Sequence, residues 1–108
     1  MNQNSINRVE LQGRVGTVRV QSLDEQLVSN FSLQTEHFFT LKDGAKVCET
    51  TYHHIVAFEG GEVCTKGLTR GSLVHLTGRL RTNRYTAVDG SERTFTEVLA
   101  SSLKVLEQ

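Results

Sequence analysis

Aromatic and basic side chains recur at every second position in two stretches of this chain. In TTYHHIVAFEG, Tyr52, His54, Val56 and Phe58 share one phase. In GRLRTNRYT, Arg79, Arg81, Asn83 and Tyr85 do the same. A β-strand turns successive side chains to opposite faces, so each set lies along one face of a strand. Rings beside guanidinium groups suit an unpaired nucleic-acid strand. Each base stacked on a ring contributes roughly 1–3 kcal/mol whatever its identity, and cations neutralise the phosphates. The same spacing also fits core packing backed by a solvated face, and spacing alone leaves both readings open. Phe38 and Phe39 add two rings where another strand runs into its turn, and alternation sends one of them inward.

Signatures of catalysis do not occur. The sequence has no glycine-rich phosphate loop, no GxSxG and no HExxH. His53 and His54 are adjacent, and neighbours on a strand cannot ligate one ion together. Glu10, Glu49 and Glu97 are scattered, with no spacing suited to the metal of a nuclease. Cys48 and Cys64 fit neither a CxxC redox motif nor a zinc pair and read as free, buried or half-buried thiols. The expectation is a binding protein with no metal, no cofactor and no enzymatic step.

The chain has 108 residues, enough for one domain and too few for two. An apolar share of 37% against 22% charged is that of a globular chain rather than a disordered one. No apolar run approaches the roughly 20 residues that cross a bilayer. The opening MNQNSINRVE lacks the charged and apolar regions of a secretory signal, so no membrane is expected and the cytoplasm is the default location. Lys plus Arg equals Asp plus Glu at 12 each. A basic groove must therefore come from placement rather than from surplus.

The elements that would position these residues are strands. Proline is absent, and glycine or Asp-Gly punctuates alternating stretches. From about Asn7 to Val20, Val9, Leu11, Gly13 and Val15 alternate with polar residues. After Gly16 the apolar phase slips by one, as at a β-bulge or barrel corner. A second strand runs from about Leu27 to Leu41, and LKDGAK supplies a turn. The third strand, ETTYHHIVAFEG, ends at Gly60-Gly61. EVCTKGLTRG then has room for a short helix that Gly67 stops. A fourth strand follows Gly71, AVDGSE makes a second Asp-Gly turn, and RTFTEVLASSLKVL is the fifth strand. The fold expected is all-β: a five-stranded Greek-key barrel of OB type, with one short helix between strands 3 and 4. Such barrels commonly bind oligonucleotides.

Four segments of this chain resemble the bacterial single-stranded DNA-binding protein family. They are INRVELQGRVG, VSNFSLQTEHFF, TTYHHIVAFEG and LTRGSLVHLTGRLRTNRYTAVDGSERTFTEV. In the last, Gly71, the run Gly78 to Thr82, Tyr85, Asp89-Gly90 and Thr96-Glu97-Val98 all fall in register. The resemblance covers roughly residues 5 to 106.

The resemblance places Phe39, Tyr52, Phe58 and Tyr85 at base-stacking positions, three of them often Trp in the family. It gives Arg81 and Arg84 as basic neighbours of the last ring, with Arg70 at a further basic position. Arg19 and Lys42 are weaker matches, because the neighbouring loops differ in length. His54 replaces a frequent Arg, and Asn83 stands where a basic residue is common. His53 corresponds to a residue of the subunit contact. Sequence-tolerant binding of single-stranded DNA in replication, recombination or repair is implied. So is a homo-oligomer, a tetramer rather than a dimer, acting in the cytoplasm on the nucleoid. The family's acidic tail has no counterpart after SSLKVLEQ, which puts recruitment of replication or recombination proteins in doubt. The alternative is a primosomal-replication-type accessory protein of the same fold, acting mainly through protein contacts.

Overall fold

Alternation and turn chemistry divide the chain into five long strands. In the computed structural model, which describes residues 4–108, these are β1 (Val9–Leu23), β2 (Gln26–Thr40), β3 (Lys46–Phe58), β4 (Leu73–Thr86) and β5 (Glu92–Glu107). The first three residues of the segment read as lacking a secretory signal lie outside the described residues. Asp24 and Glu25 join β1 to β2 with φ of 50° and 68°. A two-residue turn with both residues left-handed matches the twist of the strands it connects. The Asp-Gly turns are capped by their own aspartates. Asp43 and Asp89 each accept a backbone hydrogen bond two residues on, at 2.9 Å.

The strands close into a barrel in the order β1-β2-β3-β5-β4. β1 can pair with both β2 and β4 because it bends. Its register shifts between Val15 and Val18, around Gly16, where the apolar phase slips in the sequence.

The expected short helix between β3 and β4 is not formed. Residues 59–72 are turns with two isolated bridges, Gly60↔Val63 and Val63↔Leu103. Gly60, Gly61, Gly67 and Gly71 all have positive φ, which no helix tolerates. Between them Val63 is drawn into the core and bridges to β5, so burial of one side chain overrides helix propensity.

Phe31, Leu33, Ile55, Leu76 and Leu103 are fully buried at the centre, each contributing about 1.5–3 kcal/mol by leaving water. β3 and β5 pair in parallel only at Ile55↔Val98 and Val56↔Leu99. The β2–β3 ladder nevertheless runs on to Thr40↔Lys46, and the β4–β5 ladder to Thr86↔Glu92. Two hairpin arms therefore leave the barrel beyond this short seam. Among the described residues, no helix is long and apolar enough to cross a membrane.

Candidate nucleic-acid interface

Directly opposed residues on neighbouring strands point to the same side of a sheet. The register therefore assembles the outer surface row by row. Arg19 of β1 faces Asn30 of β2, which faces Val56 of β3. Ser32 faces His54, and Gln34 faces Tyr52. On the other side of the seam, Arg81 faces Glu97, Asn83 faces Phe95, and Tyr85 faces Arg93. The result is a trough across β1, β2, β3, β5 and β4. Its near end is an open depression of about 400 Å³ lined by Thr17, Arg19, Gln21, Asn30, Ser32 and His54.

Rings mark the far end. The His54 and Phe95 rings meet edge to face at 6.2 Å between centroids and 88° between planes. Phe95 and Tyr85 meet at 5.9 Å and 60°. Tyr52 is 69% exposed on the opposite arm, and Phe58 is 36% exposed two positions beyond Val56.

Under these rings lies a buried carboxylate. Glu97 is 4% exposed. One of its oxygens accepts from Arg81 Nε at 3.1 Å and Nη2 at 3.0 Å, and from Asn83 Nδ2. His54 Nε2 lies 3.7 Å from the other oxygen. A carboxylate removed from water needs such partners. In consequence the Arg81 guanidinium is engaged within the protein.

Tyr52, His54, Phe58, Arg19, Arg81 and Tyr85 thus lie on one surface. Four other expected site residues lie elsewhere. Arg84 faces Thr94, on the reverse of the ribbon from Tyr85. Lys42 is at the tip of the β2–β3 arm, and Arg70 is in the loop before β4. Phe39 faces Val47 with its ring stacked on His37 at 5.9 Å, and alternation puts it on the reverse side from Tyr52. Phe38, 71% exposed, shares the Tyr52 side. Neither ring turns inward as alternation predicted, because both sit on an arm that has left the barrel.

His53 points to the barrel side of β3, and its Nε2 is 2.8 Å from Thr35 Oγ1. Burial there holds its pKa below the usual histidine range. The cysteines are free, as expected, but both are exposed rather than buried. The Cys48 thiol donates to Glu36 Oε2 at 3.2 Å. That bond to a carboxylate raises its pKa. Among the described residues, no group of three or more His, Cys, Asp or Glu side chains is placed to hold a metal ion.

Sequence reasoning missed Phe95 and the role of Glu97. A signal for Phe95 was present. The Asp89-Gly90 turn sets Tyr85 opposite Arg93, and the residue two further along β5 must share the Tyr85 face.

Comparison with known proteins agrees with this geometry. A single-stranded DNA-binding protein of Neisseria meningitidis is 35% identical over 106 residues, covering 94% of this chain and 60% of that protein. One from Bacteroides thetaiotaomicron is 34% identical over 107 residues, covering 94% of this chain and 66% of that protein. The chain thus spans about 60% of the length of the first of these relatives. A solved Plasmodium falciparum SSB in complex with ssDNA superimposes with a TM-score of 0.85 at 28% identity, covering 99% of this chain and 100% of that one. A deletion mutant of the single-stranded DNA binding protein from Thermus aquaticus, 23% identical with a TM-score of 0.76 over 94% of this chain and 51% of that one, shares the fold. The barrel is thus of the OB type found in these structures. With a match to the family's sequence model across residues 6–106, the chain belongs to the single-strand binding protein family.

Proposed function

We propose that this protein binds single-stranded DNA without sequence preference and by contacts alone, with no chemical step. The observation that carries this reading is the trough itself, with exposed rings of Tyr52, His54, Phe58 and Tyr85 along an outer surface that begins at Arg19. Bases stack on these rings, and any base presents a face to stack. Arg19 holds phosphates within the trough. Arg70, Arg84 and Lys42, at its margins, hold phosphates of a strand that continues past the arms, and Phe39 offers a further ring on the reverse of the β2–β3 arm. Family membership and the likeness to a protein solved with ssDNA support the reading.

The working form is a homo-oligomer, a tetramer, with His53 at or near the contact between copies. Its place is the cytoplasm, on strands exposed during replication, recombination or repair, beside the proteins that act there. Fluorescence anisotropy with labelled poly-dT, duplex DNA and RNA across a salt series tests the ligand, and light scattering tests the oligomer. Preference for poly-dT over duplex, weakening with salt, is the expected result. Equal affinity for duplex DNA would overturn it.

A further inference from the structure

Within that reading, we infer that Phe95 is itself a base-stacking platform, seated between His54 and Tyr85 over a floor where no phosphate is held. Phe95 is 41% exposed although it lies among other rings. Its neighbours meet it at 88° and 60°, so neither lies flat against it. They fix its orientation without a parallel ring stacked on its face, as a stacking platform requires.

The floor beside it decides which part of a nucleotide lies there. Two residues along β5 on the same face is Glu97, whose charge is neutralised by Arg81. Asn83, opposite Phe95, binds the same carboxylate. Beneath this stretch the carboxylate is buried, and both of these partners are already bound to it. A phosphate placed here finds no cation free of a protein partner, whereas a base meets a ring. Other cations of this face stand farther out: Arg19 at the near end of the trough, Arg79 opposite Leu99, and Arg93 beyond Phe95, 3.8 Å from Asp89. The strand accordingly crosses the seam with a base turned inward at Phe95 and its phosphates toward the rims.

The sequence contains no tryptophan, so Phe95→Trp makes a sole-tryptophan reporter at this position. Titration of the full chain with poly-dT should quench its emission to saturation. The same substitution at Val88, fully exposed on the β4–β5 turn, should show little quenching. Phe95→Leu keeps apolar bulk against His54 and Tyr85 but removes the ring, and should weaken poly-dT binding about tenfold, as expected for one lost stack. Its salt dependence and thermal midpoint should stay close to those of the unmodified protein. Normal binding by the parent with unchanged affinity in Phe95→Leu, or with unmoved emission in Phe95→Trp, overturns the inference and leaves the proposed function standing. Failure of the parent to bind poly-dT at all sinks the proposed function itself.

Discussion

Gly78 of β4 lies so close to the backbone of Leu99 on β5 that a Cβ there would sit 2.9 Å from the Leu99 carbonyl carbon and closer still to its oxygen. The obstacle is backbone, which cannot swing aside as a side chain can. It falls where the β4–β5 register shifts, between Thr77 and Gly78. Gly78→Ala should therefore cost about 1–3 kcal/mol, the usual scale of overpacking. Urea unfolding measures it, and an unchanged midpoint would show that the bulge gives way freely.

The Arg81–Glu97 pair makes a second stability prediction. Removing one partner of a fully buried pair costs about 3–5 kcal/mol. Here the Arg81 side chain is 35% exposed and can turn to water when released. The cost of Glu97→Ala should therefore be smaller, about 1–2 kcal/mol. Glu97→Gln keeps an acceptor oxygen and should fall between that variant and the parent protein. Thermal unfolding of the three proteins gives the order directly.

Strand number, the two Asp-Gly turns and the bend of β1 were legible in the sequence, because each depends on neighbours in the chain. The Asp24-Glu25 turn, which lacks such a signal, was not. Asp43-Gly44 and Asp89-Gly90 form turns through local hydrogen bonds, and the slip after Gly16 records a local change of face. The short helix was misread because Val63 answers to a distant partner, Leu103. The expectation that one of Phe38 and Phe39 turns inward failed for a related reason. Alternation tells inside from outside only where a barrel exists to supply an inside, and β2 and β3 continue past it. Arg81 was recognisable as basic, but its engagement depended on Glu97, sixteen residues away in the chain. Period and turns therefore tell which side chains share a strand face, whereas which charges are already engaged depends on partners distant in the chain.

Tyr52 and Tyr85 stand on different arms, so they should act on different bases. Each changed to Ala should weaken poly-dT binding by about 1–3 kcal/mol. The double variant should lose close to the sum, since no shared contact couples the two. Equilibrium titration at one fixed salt concentration suffices. Full affinity in both single variants would remove the arms from the binding surface.

Salt dependence separates two arginines of the trough, Arg19 and Arg81. Arg19 has no protein anion paired with it by register, since it faces Asn30. Arg19→Ala should make the log–log salt slope shallower by about 0.7, one phosphate contact on a single strand. Arg81 is neutralised by Glu97, so Arg81→Ala should leave the slope nearly unchanged while lowering stability. Equal slopes for both variants would mean that the Glu97 pair opens when DNA binds.

Acid should weaken the fold through His53. Burial lowers its pKa in the folded state below the ordinary 6.5, while the unfolded chain takes up the proton at the ordinary value. Well above pH 6.5 neither form is protonated there, and stability does not depend on this residue's titration. Below it the unfolded form gains a proton that the folded form resists. Stability then falls with pH until the folded His53 also titrates. His53→Gln keeps a polar group beside Thr35 but cannot titrate, so it should lose this part of the decline. Urea midpoints at pH 7.5 and pH 5 for the parent and the variant isolate the effect, because the other three of the four histidines are common to both. A parent protein whose midpoint falls no further than that of the variant would place His53 in contact with water rather than in the half-buried site it shares with Thr35.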